Sequence, residues 1–321
     1  MSKINQGIKI LCLHRVSDDI DYAWPPMKVK IFRKLLEYIA KKYEVVSFKE
    51  LSSGRTHNSK GKQKVILSFD DGYKDFYENA LPLLNSFGFP SNHNIISNTV
   101  FNGEINWTQD IFSIINFHVN KTYPLVAEAP NGEIIYTNKI DEKNALHAGI
   151  VVLNKLFPKP KKERDEIITN IKSKLSNPLV YPEFMNIEEI RSCIQRDVEI
   201  GSHTLSHCIL SDQEEASVFR KEVQYSKANL EAEFNTTIDI LALPNGYYDK
   251  EAMKKMVEMK NYKFILTTLS EDYFFQSNEQ VNIVPRISLY HNSHYLNMVK
   301  VNHIDKYIFQ FKERLMSAIK N

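Results

Sequence analysis

The run from Val65 to Gly72, V-I-L-S-F-D-D-G, limits the possible folds more than any other stretch of the chain. Val65, Ile66, Leu67 and Phe69 make a nearly continuous apolar run of strand length. That is the mark of a strand covered on both faces, as in parallel sheets with helices packed against them. Such sheets collect their chemistry at the carboxyl ends of strands, where Asp70 and Asp71 stand. Consecutive side chains on an extended backbone point in opposite directions, so two adjacent aspartates share one place only if the chain bends, and Gly72 permits that bend. Taken alone, D-D-G is also ordinary turn chemistry.

The surrounding pattern alternates. Strands are expected at Ile8 to Leu13, Glu44 to Phe48, Val198 to Ile200, Ile238 to Leu243, Phe264 to Thr267 and Ile283 to Leu289. Helices are expected at Val29 to Tyr43, Tyr73 to Phe87, Ile187 to Arg196, Gln213 to Phe234 and Lys250 to Met259. This alternation indicates an α/β barrel or a doubly wound sheet. Ser91 to Ser97, S-N-H-N-I-I-S, occupies a strand position with a polar first half; either His93 and Asn94 line a polar cavity or the strand begins only at Ile95. From Phe101 to Pro182 the pattern changes to helices near 109–119, 142–156 and 161–175 with a hairpin around Pro130 to Asn138, which reads as a largely helical inserted subdomain. Residues 294–321 read as a terminal helix packed on the body through Leu296, Val299, Ile304, Ile308, Phe311 and Leu315.

The 321 residues suffice for one large barrel with insertions or for two ordinary domains. Lys and Arg number 41 against 39 Asp and Glu, a formal charge of +2, so no global field recruits nucleic acid or an anionic membrane. The three cysteines have no paired spacing, which argues for a reducing compartment. The apolar stretch near the N-terminus is too short for a signal-peptide core or a membrane span. A cytoplasmic protein without nucleic-acid partners or stable membrane insertion is the expectation.

His203 and His207 are separated by three residues, which on a helical turn puts both imidazoles on one face. Two neutral imidazoles and one carboxylate, with Asp71 as that carboxylate, make a facial set for zinc or a similar divalent ion. The pair lacks the glutamate of H-E-x-x-H metalloproteases.

S-F-D-D-G at Ser68 to Gly72 resembles the T-F-D-D-G motif, and G-S-H-T-L-S-H at Gly201 to His207 resembles the H-[S/T]-x-x-H motif, of the polysaccharide deacetylase family, carbohydrate esterase family 4. Flanking stretches agree: E-N-A-L-P-L-L at Glu78 to Leu84, the helix Glu188 to Arg196, and V-P-R-I at Val284 to Ile287. The resemblance covers about 8–101 and 183–289. It implies a distorted (β/α) barrel of about seven strands with the NodB-like fold, one deacetylase domain over 1–321 that carries 101–182 as the insertion. It further implies Asp70 as general base and Asp71, His203 and His207 as ligands of a divalent metal, Zn2+ first, with Co2+, Ni2+ or Fe2+ as alternatives. Such a metal lowers the pKa of water towards about 7, and Asp70 takes its proton as it attacks an acetamide carbonyl. The substrate is then an N-acetylated amino sugar, and the products are an amine and acetate.

Three departures from the family pattern matter. The third motif, R-x-x-P-Y, reads L-A-L-P-N at Leu241 to Asn245, so the resemblance leaves the Asn245 backbone amide as oxyanion donor and passes the role of orienting the base to Arg286. The last motif, L-x-H, is missing. Members with permuted strand order carry the acid histidine on the first strand, which L-C-L-H-R-V at Leu11 to Val16 resembles, so His14 is assigned as general acid, with His291 and His294 next. S-N-H-N-I-I-S replaces an A-T-F-F-V type of strand, which leaves the shape of the barrel floor open. Trp107 is either an apolar wall for a sugar ring or a packing residue, and the insertion either a lid or an oligomer contact. A cytoplasmic setting points to a nucleotide sugar, a lipid-linked glycan precursor or a related metabolite. The alternatives are a cyclic amide or ureide hydrolase of the same fold and a non-catalytic carbohydrate-binding relative.

Overall fold

The computed structural model describes residues 7–53, 61–211, 214–277, 279–289 and 292–304. Its centre is a nine-stranded sheet. In chain order the strands are β1 (Lys9–Leu13), β2 (Tyr43–Val45), β3 (Gln63–Phe69) and β4 (Ser91–Ile95). A separate two-stranded hairpin follows, β5 (Leu125–Glu128) and β6 (Ile134–Asn138), and then β7 (Val198–Ser202), β8 (Ile240–Ala242), β9 (Phe264–Leu266), β10 (Asn282–Val284) and β11 (Ile287–Ser288).

Every pairing in the large sheet is parallel, in the order β10-β9-β8-β7-β4-β3-β1-β11, with β2 beside the start of β3. The two ends of that path, β10 and β11, are one run of chain interrupted only at Pro285 and Arg286. The sheet therefore returns on itself as a distorted (β/α) barrel, with the strand count near the expected number when that run is taken as one strand.

Alternation along the strands sorts side chains into two populations. Leu11, Leu67, Phe69, Leu241 and Ile265 pack outward against helices such as Val29–Lys42 and Leu81–Phe87. Ile10, Ile66, Ile240, Phe264 and Val284 fill the barrel interior. Further along the inward-facing positions the side chains turn polar: Cys12, Ser68, Asn94 and Asp70, all buried. An apolar floor thus carries a polar layer at the carboxyl end.

Several boundaries differ from the sequence expectation. β2 stops at Val45, because Phe48 opens a short helix, Phe48–Ser53, whose first amides are taken by the Glu199 carboxylate. The hairpin strands begin earlier, with β5 at Leu125. Residues 107–171 gather a hydrophobic cluster of their own, which reaches the body through Ala23 and Ile209. Its helices are Trp107–His118, Ala145–Leu156 and Lys161–Ser173. The terminal helix runs over His294–Val301, with Asn297 and Val301 buried, whereas Leu296 is largely exposed. The expected anchors Ile308, Phe311 and Leu315 lie outside the described residues.

Candidate active site

Strand register builds one rim. Leu13 lies beside Phe69, Phe69 beside His93, Ile95 beside Ser202, and Ser202 beside Leu241. His14, Asp70, Asp71, His203 and the Ala242 carbonyl therefore emerge at the same end of the barrel.

Asp71, His203 and His207 converge there. Asp71 Oδ1 is 3.4 Å from His203 Nε2 and 3.5 Å from His207 Nε2, and all three residues are buried. His203 Nδ1 lies 2.9 Å from the Ala242 carbonyl oxygen, so that nitrogen carries the proton and donates it. In the neutral ring Nε2 then presents a lone pair to the carboxylate. Asp71 Oδ1 itself is buried without a hydrogen-bond partner. Electron-pair donors that face one another without a proton between them call for a cation. The observed separations match the edge of a tetrahedron with metal–ligand bonds of about 2.1 Å. Asp71, His203 and His207 thus fit a divalent ion.

The electrostatics agree. Burial lowers the His203 pKa, but Asp70 and Asp71 outweigh it and the pKa is raised: the pocket favours positive charge. Burial depresses His207 to about 3, which keeps it neutral and available as a ligand. Burial alone raises the Asp71 pKa, and His203, His207 and His14 bring it down to about 2.

The histidine loop is not the helical turn expected from H-x-x-x-H. Thr204 has φ of 65° and His207 of 58°, and Asp71 and Gly72 have 76° and 87°. Left-handed backbone is unfavourable for a β-branched threonine. Strain of this kind gathers at functional sites when the surroundings hold it in place. Here Glu222 accepts hydrogen bonds from the Ser206 amide and hydroxyl, Trp107 Nε1–H donates to the His207 carbonyl at 3.0 Å, and the Gly72 amide donates to His93 Nε2 at 3.1 Å. Trp107 is buried, with the Arg164 guanidinium over its ring, so it supports the loop and offers no open wall to a sugar.

Asp70 sits beside the triad, with Oδ2 4.0 Å from His203 Nε2. Arg286 grips it with a bidentate fork, Nη1 to Oδ1 and Nη2 to Oδ2, both 2.8 Å. Arg286 is fully buried and is anchored in turn on the Thr267 carbonyl and Ser68 Oγ. Burial raises the Asp70 pKa, yet Arg286, then His203 and His14, hold the carboxyl well below the usual carboxylate range. The interruption between β10 and β11 is thus the place where the chain inserts the counterion of Asp70.

His14 Nε2 or Nδ1, Cys12 Sγ and an Asp70 oxygen form a second close group, with donor atoms within 4.8 Å of one another. His14 is half-buried, its Nδ1 lacks a partner, and Trp24 stands edge-on at 5.8 Å with Phe112 of the insertion stacked behind it. Asn245 lies three residues past Ala242, exposed, in a turn where its φ is 55°. His294 is elsewhere, edge-on to Tyr38 of the helix Val29–Lys42, and His291 lies outside the described residues. A cavity of about 1010 Å³ opens at the opposite end of the barrel, around Arg196, Glu199 and Asp239.

Neither reading of Ser91 to Ser97 survives. β4 starts at Ser91, is buried throughout, and is tied to the D-D-G strand by polar side chains: Asn92 accepts from Ser68 Oγ, Asn94 donates to it, and His93 accepts from the Gly72 amide.

A polysaccharide deacetylase family profile matches residues 169–264, the part that carries both histidines. That stretch, under a third of the chain, is similar to the polysaccharide deacetylase family. Comparison of its sequence with curated proteins finds no match. Solved structures show the same fold. The Streptococcus pyogenes deacetylase PplD, determined with acetate, is 16% identical with a TM-score of 0.58, over 92% of this chain and 99% of that one. IcaB from Ammonifex degensii is 14% identical with a TM-score of 0.58, over 92% and 97%. The polysaccharide deacetylase BC0361 from Bacillus cereus is 13% identical with a TM-score of 0.58, over 92% and 69%.

Proposed function

We propose that this chain is a member of the polysaccharide deacetylase family and acts as a metal-dependent N-deacetylase that releases acetate from an N-acetylated amino sugar. The observation that carries the reading is the convergence of Asp71, His203 and His207 on an unsatisfied carboxylate oxygen, with a second, separately anchored carboxylate, Asp70, beside them. When bound at those three residues, a divalent ion, Zn2+ before Co2+, Ni2+ or Fe2+, supplies Lewis acidity towards an acetamide carbonyl and lowers the pKa of water towards about 7.

The protein groups supply the rest. Asp70, kept ionised by Arg286, accepts a proton as water adds to the carbonyl carbon. The Asn245 main-chain N–H donates to the oxygen that becomes anionic, a contribution of roughly 3 to 4 kcal/mol in comparable hydrolases. His14, on the rim above Asp70, delivers a proton to the nitrogen as the carbon–nitrogen bond breaks, so that an amine departs and acetate remains. The Trp24–Phe112 pair behind His14 brings the insertion to the edge of the site.

The substrate class that suits this reading is an intracellular amino-sugar precursor, nucleotide-linked, lipid-linked or free. Support comes from the three buried free thiols, which suit a reducing compartment. Among the described residues no helix is long and apolar enough to cross a membrane. Acetate release measured across nucleotide sugars, lipid-linked sugars and chitooligomers, with and without chelator, tests the whole reading. Chelator-sensitive release from at least one class supports it; no release from metal-loaded protein on any of them overturns it.

A further inference from the structure

Asn94 is fully buried, and its side-chain amide is tied down at one end. Nδ2 donates to Asp70 Oδ1 at 2.7 Å and lies 3.2 Å from both Ser68 Oγ and the Phe69 carbonyl oxygen. These partners fix which end is nitrogen, because reversing the amide would set an oxygen against a carboxylate and a carbonyl. Asn94 Oδ1 points the other way and has no donor. What it meets is Gly201, its register partner on β7, where a Cβ would stand only 2.2 Å from Oδ1. The asparagine fits because residue 201 has no side chain.

The two oxygens of Asp70 are consequently unequal. Oδ1 receives Arg286 Nη1 at 2.8 Å and Asn94 Nδ2 at 2.7 Å, which uses both of its in-plane lone pairs. Oδ2 receives Arg286 Nη2 at 2.8 Å and otherwise only a weak donor, the Cys12 thiol at 3.5 Å. Oδ2 is also the oxygen that faces His203 Nε2. Arg286 cannot create this difference, since its fork engages both oxygens alike.

We propose that Asn94 is a positioning residue that saturates Oδ1 of Asp70 and so directs proton acceptance to Oδ2, on the side of Asp71, His203 and His207, with Gly201 as the vacancy that lets it do so. This rests on Asp70 serving as the base. The polar half of β4 then has a purpose: it supplies an anchor that an apolar strand could not.

The test is a double-mutant cycle of Asn94→Ala and Gly201→Ala on the full-length, zinc-loaded chain, read by kcat, KM, zinc affinity and thermal midpoint. Asn94→Ala should lower kcat by about tenfold or more while KM and zinc affinity stay within about threefold. Gly201→Ala alone should reproduce that loss by expelling the amide, yet add less than about twofold once Asn94 is already alanine. A kcat within about twofold of wild type in Asn94→Ala, zinc affinity that falls in step with kcat, or losses that simply multiply would overturn the proposal. The midpoints report on the Asn94–Gly201 contact without any turnover, and additive shifts there refute it. A wild-type chain that turns over no N-acetylated sugar removes the base assignment, and the positioning role with it, while leaving the midpoint result intact as a statement about packing.

Discussion

Arg286 offers the sharpest perturbation of Asp70, the proposed base. Its guanidinium is fully buried and makes two 2.8 Å bonds to a carboxylate that is itself only 2% exposed. Removing one partner of such a pair strands the other charge, which costs about 3 to 5 kcal/mol of stability in comparable cases. Arg286→Ala should therefore unfold earlier in urea at neutral pH. The sign with pH follows from the Asp70 carboxyl. Its pKa is depressed in the wild-type fold, so the stabilisation is present above the ordinary value of 3.8 and disappears as pH falls below it. Without Arg286, the strongest opposition to burial is gone, and the pKa rises. The acidic limb of the kcat/KM profile should then move to higher pH, and kcat should fall by roughly 10² to 10⁴, because the base is neither ionised nor aimed. Arg286→Lys restores charge without the fork and should recover stability better than rate. Acetate release from pH 4 to 9, with urea unfolding on the same variants, decides the matter. An Arg286→Ala variant with wild-type kcat and an unmoved acidic limb would refute the reasoning.

Two further outcomes are expected. His14→Ala should cut hydrolysis of an N-acetyl substrate by roughly 10² to 10⁴ but leave an aryl acetate nearly untouched, since a phenolate leaves without a proton; equal losses on both would remove His14 as the acid. Burial pushes Glu199 up from 4.5 to about 7, so its contribution to stability is complete below pH 4.5 and lost as pH rises through 7. The gap corresponds to about 3 kcal/mol, and urea unfolding of wild type and Glu199→Gln at pH 5 and pH 8 should show the wild type losing ground to the variant at the higher pH.

The D-D-G strand end was legible in the sequence because a buried strand seldom stops on two adjacent carboxylates unless their charge is put to use there. Arg286 was legible through V-P-R-I, although nothing in that tetrapeptide reveals that it interrupts a strand to aim the guanidinium inward. Asn94 was not. Hydrogen bonds across a parallel sheet depend on register between strands far apart in the chain, and a polar run inside a strand position has no partner visible in a single sequence. The H-x-x-x-H spacing suggested a helical turn because three intervening residues also suit a helix; the left-handed Thr204 that actually sets the geometry is a residue type that gives no warning of it. Trp107 and Glu222 were invisible as supports for the same reason, since both act on main-chain atoms of the histidine loop.

In the proposed reaction two adjacent aspartates have separate tasks, and zinc affinity and acetate release measured together in Asp71→Ala and Asp70→Asn distinguish them. Asp71→Ala should lose zinc and turnover together. Asp70→Asn should keep zinc within about threefold and lose roughly 10² to 10⁴ in kcat. If Asp70→Asn loses zinc as Asp71→Ala does, or if either variant retains wild-type turnover, the division of labour at this strand end is contradicted.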